Sequence, residues 1–182
     1  ANRPDTLGHL GVAREVGTMR GRPLKTLSWP LVEDAVRTAD LVDVQVPDDD
    51  LCPRYCGLVV RGVKVGPSPQ WLRARIEAMG LRSISNVVDA TNFVLFGFGQ
   101  PIHTFDLAKV GGRKVVVRRA KKGETIRTLE GRDMALGPEM LVIADEKRPM
   151  AIAGVMGGEE SGISDATADI FIESACFHPV SI

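Results

Sequence analysis

The chain of 182 residues balances 23 Lys and Arg against 23 Asp and Glu for a formal net charge of +0, so it is no generic nucleic-acid coat and any RNA contact is local. A hydrophobic content of 44% is enough to bury the core of one sizeable domain with a small appendage. Three cysteines, Cys52, Cys56 and Cys176, follow no disulfide-framework spacing and point to a reducing compartment, while Cys52-x-x-x-Cys56 lacks the second ligand pair of a zinc site, so no metal is expected.

Residues 1–22 form a short unit in which Leu7, Leu10, Ala13 and Val16 recur at helical spacing, with Asp5 or Thr6 as the expected cap and Gly21 as the stop. A linker follows from Pro23 through Pro30, so 1–30 is expected to be a helical lead-in and linker and 31–182 the main domain. Alternation predicts strands at 42–46 and 56–65, with PDDDLCP as an exposed turn between them. Ser68-Pro69 ahead of QWLRARIEAMG predicts a helix with serine as cap, proline in the first turn, Leu72, Ile76 and Met79 on one face, and Gly80 at its end. A second helix, capped by Ser85 or Asn86, is expected through Val87, Val88, Thr91, Val94 and Leu95, with Gly97 and Gly99 ending it. Strands are expected in KVVVRRA at 114–120, in a hairpin through TIRTLEGRDMAL, and in LVIAD, MAIAGV and IFIES. Helices early and strands late predict an α+β, β-rich fold with helices packed on one side of a sheet.

Charge is segregated along the chain: residues 113–133 carry eight Lys and Arg against three Asp and Glu, and 139–173 carry eight Asp and Glu against two Lys and Arg. Two solvated faces of one sheet fit this pattern, and so does a phosphate-facing strip at Arg113, Lys114, Arg118, Arg119, Lys121 and Lys122. Neither a signal peptide nor an apolar run long enough to span a bilayer occurs, so a soluble cytoplasmic protein without membrane contact is expected. The chain opens at Ala1 rather than Met and closes on CFHPVSI without a stop signal, and it is expected to be a piece of something longer.

Two stretches do not read as packing alone: SNVVDATNFVLFGFGQPIHTFD at 85–106 and MAIAGVMGGEESG at 150–162. The first weaves Asn86, Asp89, Thr91 and Asn92 through valines and then delivers His103 from a Gly-Gln-Pro turn. Gln100-Pro101 restricts the backbone just before that histidine. The second supplies Gly154, Gly157 and Gly158, which can adopt positive φ and let main-chain N–H groups approach a ligand closely. It is not a phosphate loop, since no GK[ST] follows. Ordinary roles exist for each residue: a structural histidine, a threonine bonded back to its own helix, a glycine turn.

NRPD at 2–5, NVVDATN at 86–92, GQPIHTFD at 99–106, GET at 123–125, AIAGVMGG at 151–158 and ESACFHPVSI at 173–182 together resemble the beta subunit of bacterial phenylalanyl-tRNA synthetase, and more narrowly its central editing module. The resemblance runs through almost the whole chain and is weakest over 30–65. It implies hydrolysis of tyrosine wrongly esterified to tRNA(Phe), with Glu173 as the carboxylate that senses the phenol, although a strand glutamate by itself ordinarily faces solvent. It implies His103 near the ester and terminal ribose, where the ring either orders the attacking water or acts as general base, and Thr91 and Asn92 facing the amino acid or the ester water; positioning is favoured for His103 because no Asp or Glu in the sequence is placed to orient the ring. Pro101, Ile102, Ala153, Gly154 and Gly157 are implied to line the tyrosine pocket; Asn86 and Asp89 are read as architectural. Thr104, Ile102 and Phe93 stand where the family more often has alanine, methionine and tyrosine, which touches pocket shape and no polar contact. The implied partners are the acceptor end of tRNA(Phe) and the synthetase alpha subunit of the parent heterotetramer. No cofactor is implied for this chain, ATP and magnesium belonging to the parent enzyme's other subunit. A non-catalytic tRNA-binding module of the same synthetase and a free-standing editing protein are the alternatives.

Overall fold

The computed structural model describes residues 2–25 and 27–182; Ala1 and Thr26, the latter within the expected linker, lie outside them. In chain order the elements are helix α1 (His9–Arg20), the single turn α2 (Thr38–Leu41), strands β1 (Asp43–Gln45) and β2 (Arg54–Val60), helices α3 (Gln70–Ala78) and α4 (Asn86–Phe98), then strands β3 (His103–Asp106), β4 (Lys114–Arg119), β5 (Thr125–Arg127), β6 (Asp133–Ala135), β7 (Leu141–Ala144), β8 (Pro149–Ile152), β9 (Met156–Gly157) and β10 (Ile170–Cys176). The fold is α+β, as the sequence predicts. Two compact units form, Ala1–Ala35 with Gly66–Ile102 and Val36–Val65 with His103–Ile182.

The first unit holds α1, α3 and α4. Asp5 and Thr6 do not cap α1: Pro4–Leu7 winds a 3-10 turn in which the Thr6 hydroxyl donates to the Arg3 carbonyl at 2.8 Å, and Gly8 takes the capping position. Gly8 is needed there because a Cβ would meet Gly99 N at 2.5 Å. Gly21 ends the helix as expected, at φ 61°, its N–H bonded to the Gly17 and Thr18 carbonyls. In α3, Leu72 and Ile76 are buried, but Ser68 does not cap; its hydroxyl donates to Asp89 at 2.5 Å and Pro69 stands at the N-cap. Ser85 does cap α4, accepting from Val88 N at 3.4 Å. Gly97 is carried within the helix, and Gly99 alone, at φ 75°, terminates it.

The second unit is built on a five-stranded sheet in the order β1-β4-β7-β8-β9, a three-stranded antiparallel sheet β2-β10-β3, and the hairpin β5-β6. The expected 42–46 and 56–65 strands therefore never pair; β1 joins β4 in parallel and β2 joins β10. Between them Cys52 is buried rather than exposed, at 2%. The LVIA run of β7 is continuous because both faces are covered, Leu141 and Ile143 packing in one apolar cluster and Val142 and Ala144 in another. The first cluster also gathers Val115, Val117 and Met150 from the large sheet with Phe105 and Phe171 from the small one. It packs the small sheet against the large one, and the candidate site lies on the small sheet.

Candidate functional site

Along β10, Phe171 and Glu173 are two residues apart and so share a face. Register extends that face across the sheet: Phe171 lies opposite Phe105 and Val59, and Glu173 opposite His103 of β3 and Gly57 of β2. Glu173 is only 5% exposed, an uncommon place for a carboxylate. Its Oε2 accepts from the Tyr55 hydroxyl at 3.2 Å, the one hydrogen bond it makes among the described residues. Burial pushes its pKa up to about 7, with the Tyr55 hydrogen bond pulling the other way.

His103 is half-buried, its ring edge-on to Phe105 with centroids 4.6 Å apart. Nε2 has no hydrogen-bond partner and is the one buried side-chain N or O of the described residues in that condition. Burial lowers the histidine pKa, so the ring is neutral at neutral pH. An orphaned buried nitrogen of this kind calls for a partner that the protein itself does not supply.

Gly157 closes on the imidazole. A Cβ there would lie 2.7 Å from His103 Cε1 and 3.0 Å from Nε2, so only glycine lets β9 approach the ring. Of the three glycines of AGVMGG, Gly154 alone uses positive φ, at 69°, in the exposed β8–β9 turn against Phe177 and Ile182. Gly158 is extended (φ −86°) and is required by space, since a Cβ would come within 2.6 Å of the Met150 carbonyl oxygen. Ala153 is buried in the apolar cluster, its N–H bonded to the Leu141 carbonyl.

In the first unit Asp89 is wholly buried and accepts from Ser68 Oγ and Ser83 Oγ at 2.5 Å each and from Ile84 N at 3.0 Å. Burial would raise its pKa, but these three donors outweigh it and hold the carboxyl below its ordinary value. Asn86 braces the same region, its Oδ1 accepting from Gly66 N at 3.2 Å. Thr91 donates its hydroxyl to the Val88 carbonyl at 2.7 Å, which leaves its oxygen as an acceptor only. Asn92 and Ile102 are half-buried and Pro101 is exposed. A cavity of about 1070 Å³ lined by Leu7, Val12, Val16, Leu24 and Phe96 also lies in this unit and involves none of the candidate site residues.

The structure thus brings His103, Glu173 and Gly157 onto one patch and adds two residues that no motif in the sequence singles out, Tyr55 and Gly57. A Cβ on Gly57 would strike the Phe171 ring at 2.4 Å, so this glycine lets Phe171 cross the face beside Glu173. The signal for it was a glycine inside an alternating strand. The Arg and Lys strip is partly spoken for: Arg118 forms a two-pronged pair with Glu124, and Arg119 pairs with Asp48 and Asp50.

Residues 51–182 match the B3/4 domain family. The chain is 51% identical over 181 residues to the phenylalanine–tRNA ligase beta subunit of Anaeromyxobacter dehalogenans and 48% identical over 181 residues to that of Bdellovibrio bacteriovorus, covering 100% of this chain and 23% and 22% of those relatives. It therefore spans less than a quarter of the length of the curated relatives it matches. A crystal structure of an N-terminal fragment of the phenylalanyl-tRNA synthetase beta subunit from Pyrococcus horikoshii shares the fold, with a TM-score of 0.56 at 16% identity over 100% of this chain and 55% of that one.

Proposed function

The chain belongs to the B3/4 domain family, with phenylalanine–tRNA ligase beta subunits as its homologues, and from that premise we propose that it is an editing module which hydrolyses tyrosine misacylated onto tRNA(Phe). The observation that carries the reading is the buried Glu173 carboxylate set directly opposite His103, whose Nε2 is unpartnered.

Tyrosine differs from phenylalanine by one hydroxyl, and a hydrophobic synthetic pocket rejects an added hydroxyl by only on the order of a hundredfold. A second site that demands the hydroxyl does better. Glu173 Oε1, free of hydrogen bonds among the described residues, accepts the phenol; phenylalanine leaves that desolvated oxygen without a donor, at a cost of about 1–3 kcal/mol. His103, neutral through burial, holds the attacking water or the terminal ribose at Nε2 rather than taking a proton as general base. Gly157 is the wall that fixes the ring. Thr91, Asn92, Pro101, Ile102, Ala153 and Gly154 are proposed as substrate-facing positions, Thr91 for the ester water. Water held near the carbonyl, with donors for the developing oxyanion, suffices for ester hydrolysis without a metal or a covalent intermediate. The acceptor end of tRNA(Phe) and the synthetase alpha subunit are the proposed partners, the cytoplasm the proposed location, and ATP and magnesium serve the parent enzyme's ligation, through which no step here runs.

Two measurements test the proposal. A structure with L-tyrosine or m-tyrosine bound should place the phenol oxygen within hydrogen-bond distance of Glu173 Oε1; a ligand seated away from Glu173 and His103 refutes the assignment. Glu173→Ala should keep the fold and lose deacylation of tyrosyl-tRNA. A protein that binds tRNA and hydrolyses neither ester is instead the non-catalytic module.

A further inference from the structure

We propose that Tyr55 is the positioning residue of the tyrosine-sensing carboxylate: its hydroxyl occupies Oε2 of Glu173 and so presents Oε1 to the phenol of the ligand. The inference rests on the editing reading above and deepens it. Tyr55 lies opposite Ala175, one step along the same face from the Gly57–Glu173 pair, so the two side chains are diagonal neighbours across β2 and β10. Gly57, directly across from Glu173, puts no side chain between them. The resulting contact, hydroxyl to Oε2 at 3.2 Å, is the carboxylate's one hydrogen bond among the described residues.

Selectivity requires this carboxylate to be ionised. A carboxylate only accepts, and phenylalanine has no donor for it, whereas a protonated acid can donate elsewhere and tolerate the wrong side chain. Among the described residues, the titratable groups against Glu173 are Tyr55 from β2, His103 from β3 and, near enough to feel its charge, Cys52 from the segment before β2. None is positively charged at neutral pH: burial lowers the histidine, and burial together with Glu173 pushes the Cys52 thiol up to about 11. Burial and Glu173 also push the Tyr55 phenol far up, so it stays a donor. Tyr55 is therefore the group that favours the ionised form against desolvation.

The chain contains one tyrosine, so biosynthetic 3-fluorotyrosine labels Tyr55 alone. Its fluorine resonance should pass through a single transition near neutrality, retained in His103→Gln and absent in Glu173→Gln. Tyr55→Phe should raise the Glu173 midpoint by about one pH unit, a tenfold shift in proton affinity. The rising limb of the pH profile for tyrosyl-tRNA hydrolysis should move by the same amount, with activity recovering on the alkaline side. A fluorine signal flat across neutrality overturns the inference, and so does a Tyr55→Phe loss that is equal at every pH. If Tyr55→Phe does not fold, the fluorine titration of the unsubstituted protein still decides. Failure of that protein to hydrolyse tyrosyl-tRNA would remove the editing reading while leaving the Tyr55–Glu173 coupling to be judged by fluorine alone.

Discussion

Glu173 occupies a position where an apolar residue would make a more stable strand, and its titration measures that sacrifice. Burial raises its pKa from 4.5 to about 7, so the folded protein binds this proton more tightly than the unfolded chain does. Its contribution to stability is therefore fully present below the unfolded value and is lost as pH rises through about 7. Glu173→Gln should match the parent in acid and exceed it above neutrality, by at most about 3 kcal/mol in urea unfolding. A difference independent of pH contradicts the assignment. His103, lowered by burial, works in the opposite sense, with a contribution present above its unfolded value and lost in acid, but both proteins retain it and it cancels. His103 and Glu173 are candidates from the sequence through the motifs that carry the family resemblance. Tyr55 and Gly57 are not, because their meaning lies in a cross-strand register that brings together residues 118 apart.

Among elements, α4 and its loop are organised by Asp89 more than by helix propensity. Three donors from three different residues converge on a carboxylate with no exposure. Asp89→Ala orphans all three, and about 3 kcal/mol of destabilisation is expected in chemical denaturation; a loss below about 0.5 kcal/mol would show the cluster to be dispensable. The same cluster explains a misplaced cap. Ser68 ahead of a proline reads locally as a helix start, but a buried carboxylate competes for its hydroxyl and wins. The helical spacing of α4, the TIRTLEGRDMAL stretch of the β5–β6 hairpin and the apolar IFIES run of β10 are legible in the sequence. β3 is not: HTFD is four residues long and follows a Gln-Pro turn, so only its pairing with β10 makes it a strand and fixes the direction of His103.

At the scale of the molecule, the second unit draws its chain from both sides of residues 66–102, an arrangement linear composition does not signal. The charge segregation along the sequence resolves in part into local pairs on β4, Arg118 with Glu124 and Arg119 with Asp48 and Asp50. No helix among the described residues is long and apolar enough to cross a membrane. What remains distinctive is the small sheet, where a buried acid, a neutral histidine and a tyrosine hydroxyl meet on a face otherwise filled by Phe105 and Phe171. The most direct test of the claim that this face tells tyrosine from phenylalanine is a side-by-side measurement of hydrolysis of tyrosyl-tRNA(Phe) and phenylalanyl-tRNA(Phe) by the protein. The tyrosyl ester should be cleaved faster by on the order of a hundredfold, and Glu173→Ala should abolish the difference. Equal rates for the two esters, or a preference that survives Glu173→Ala, would contradict that claim.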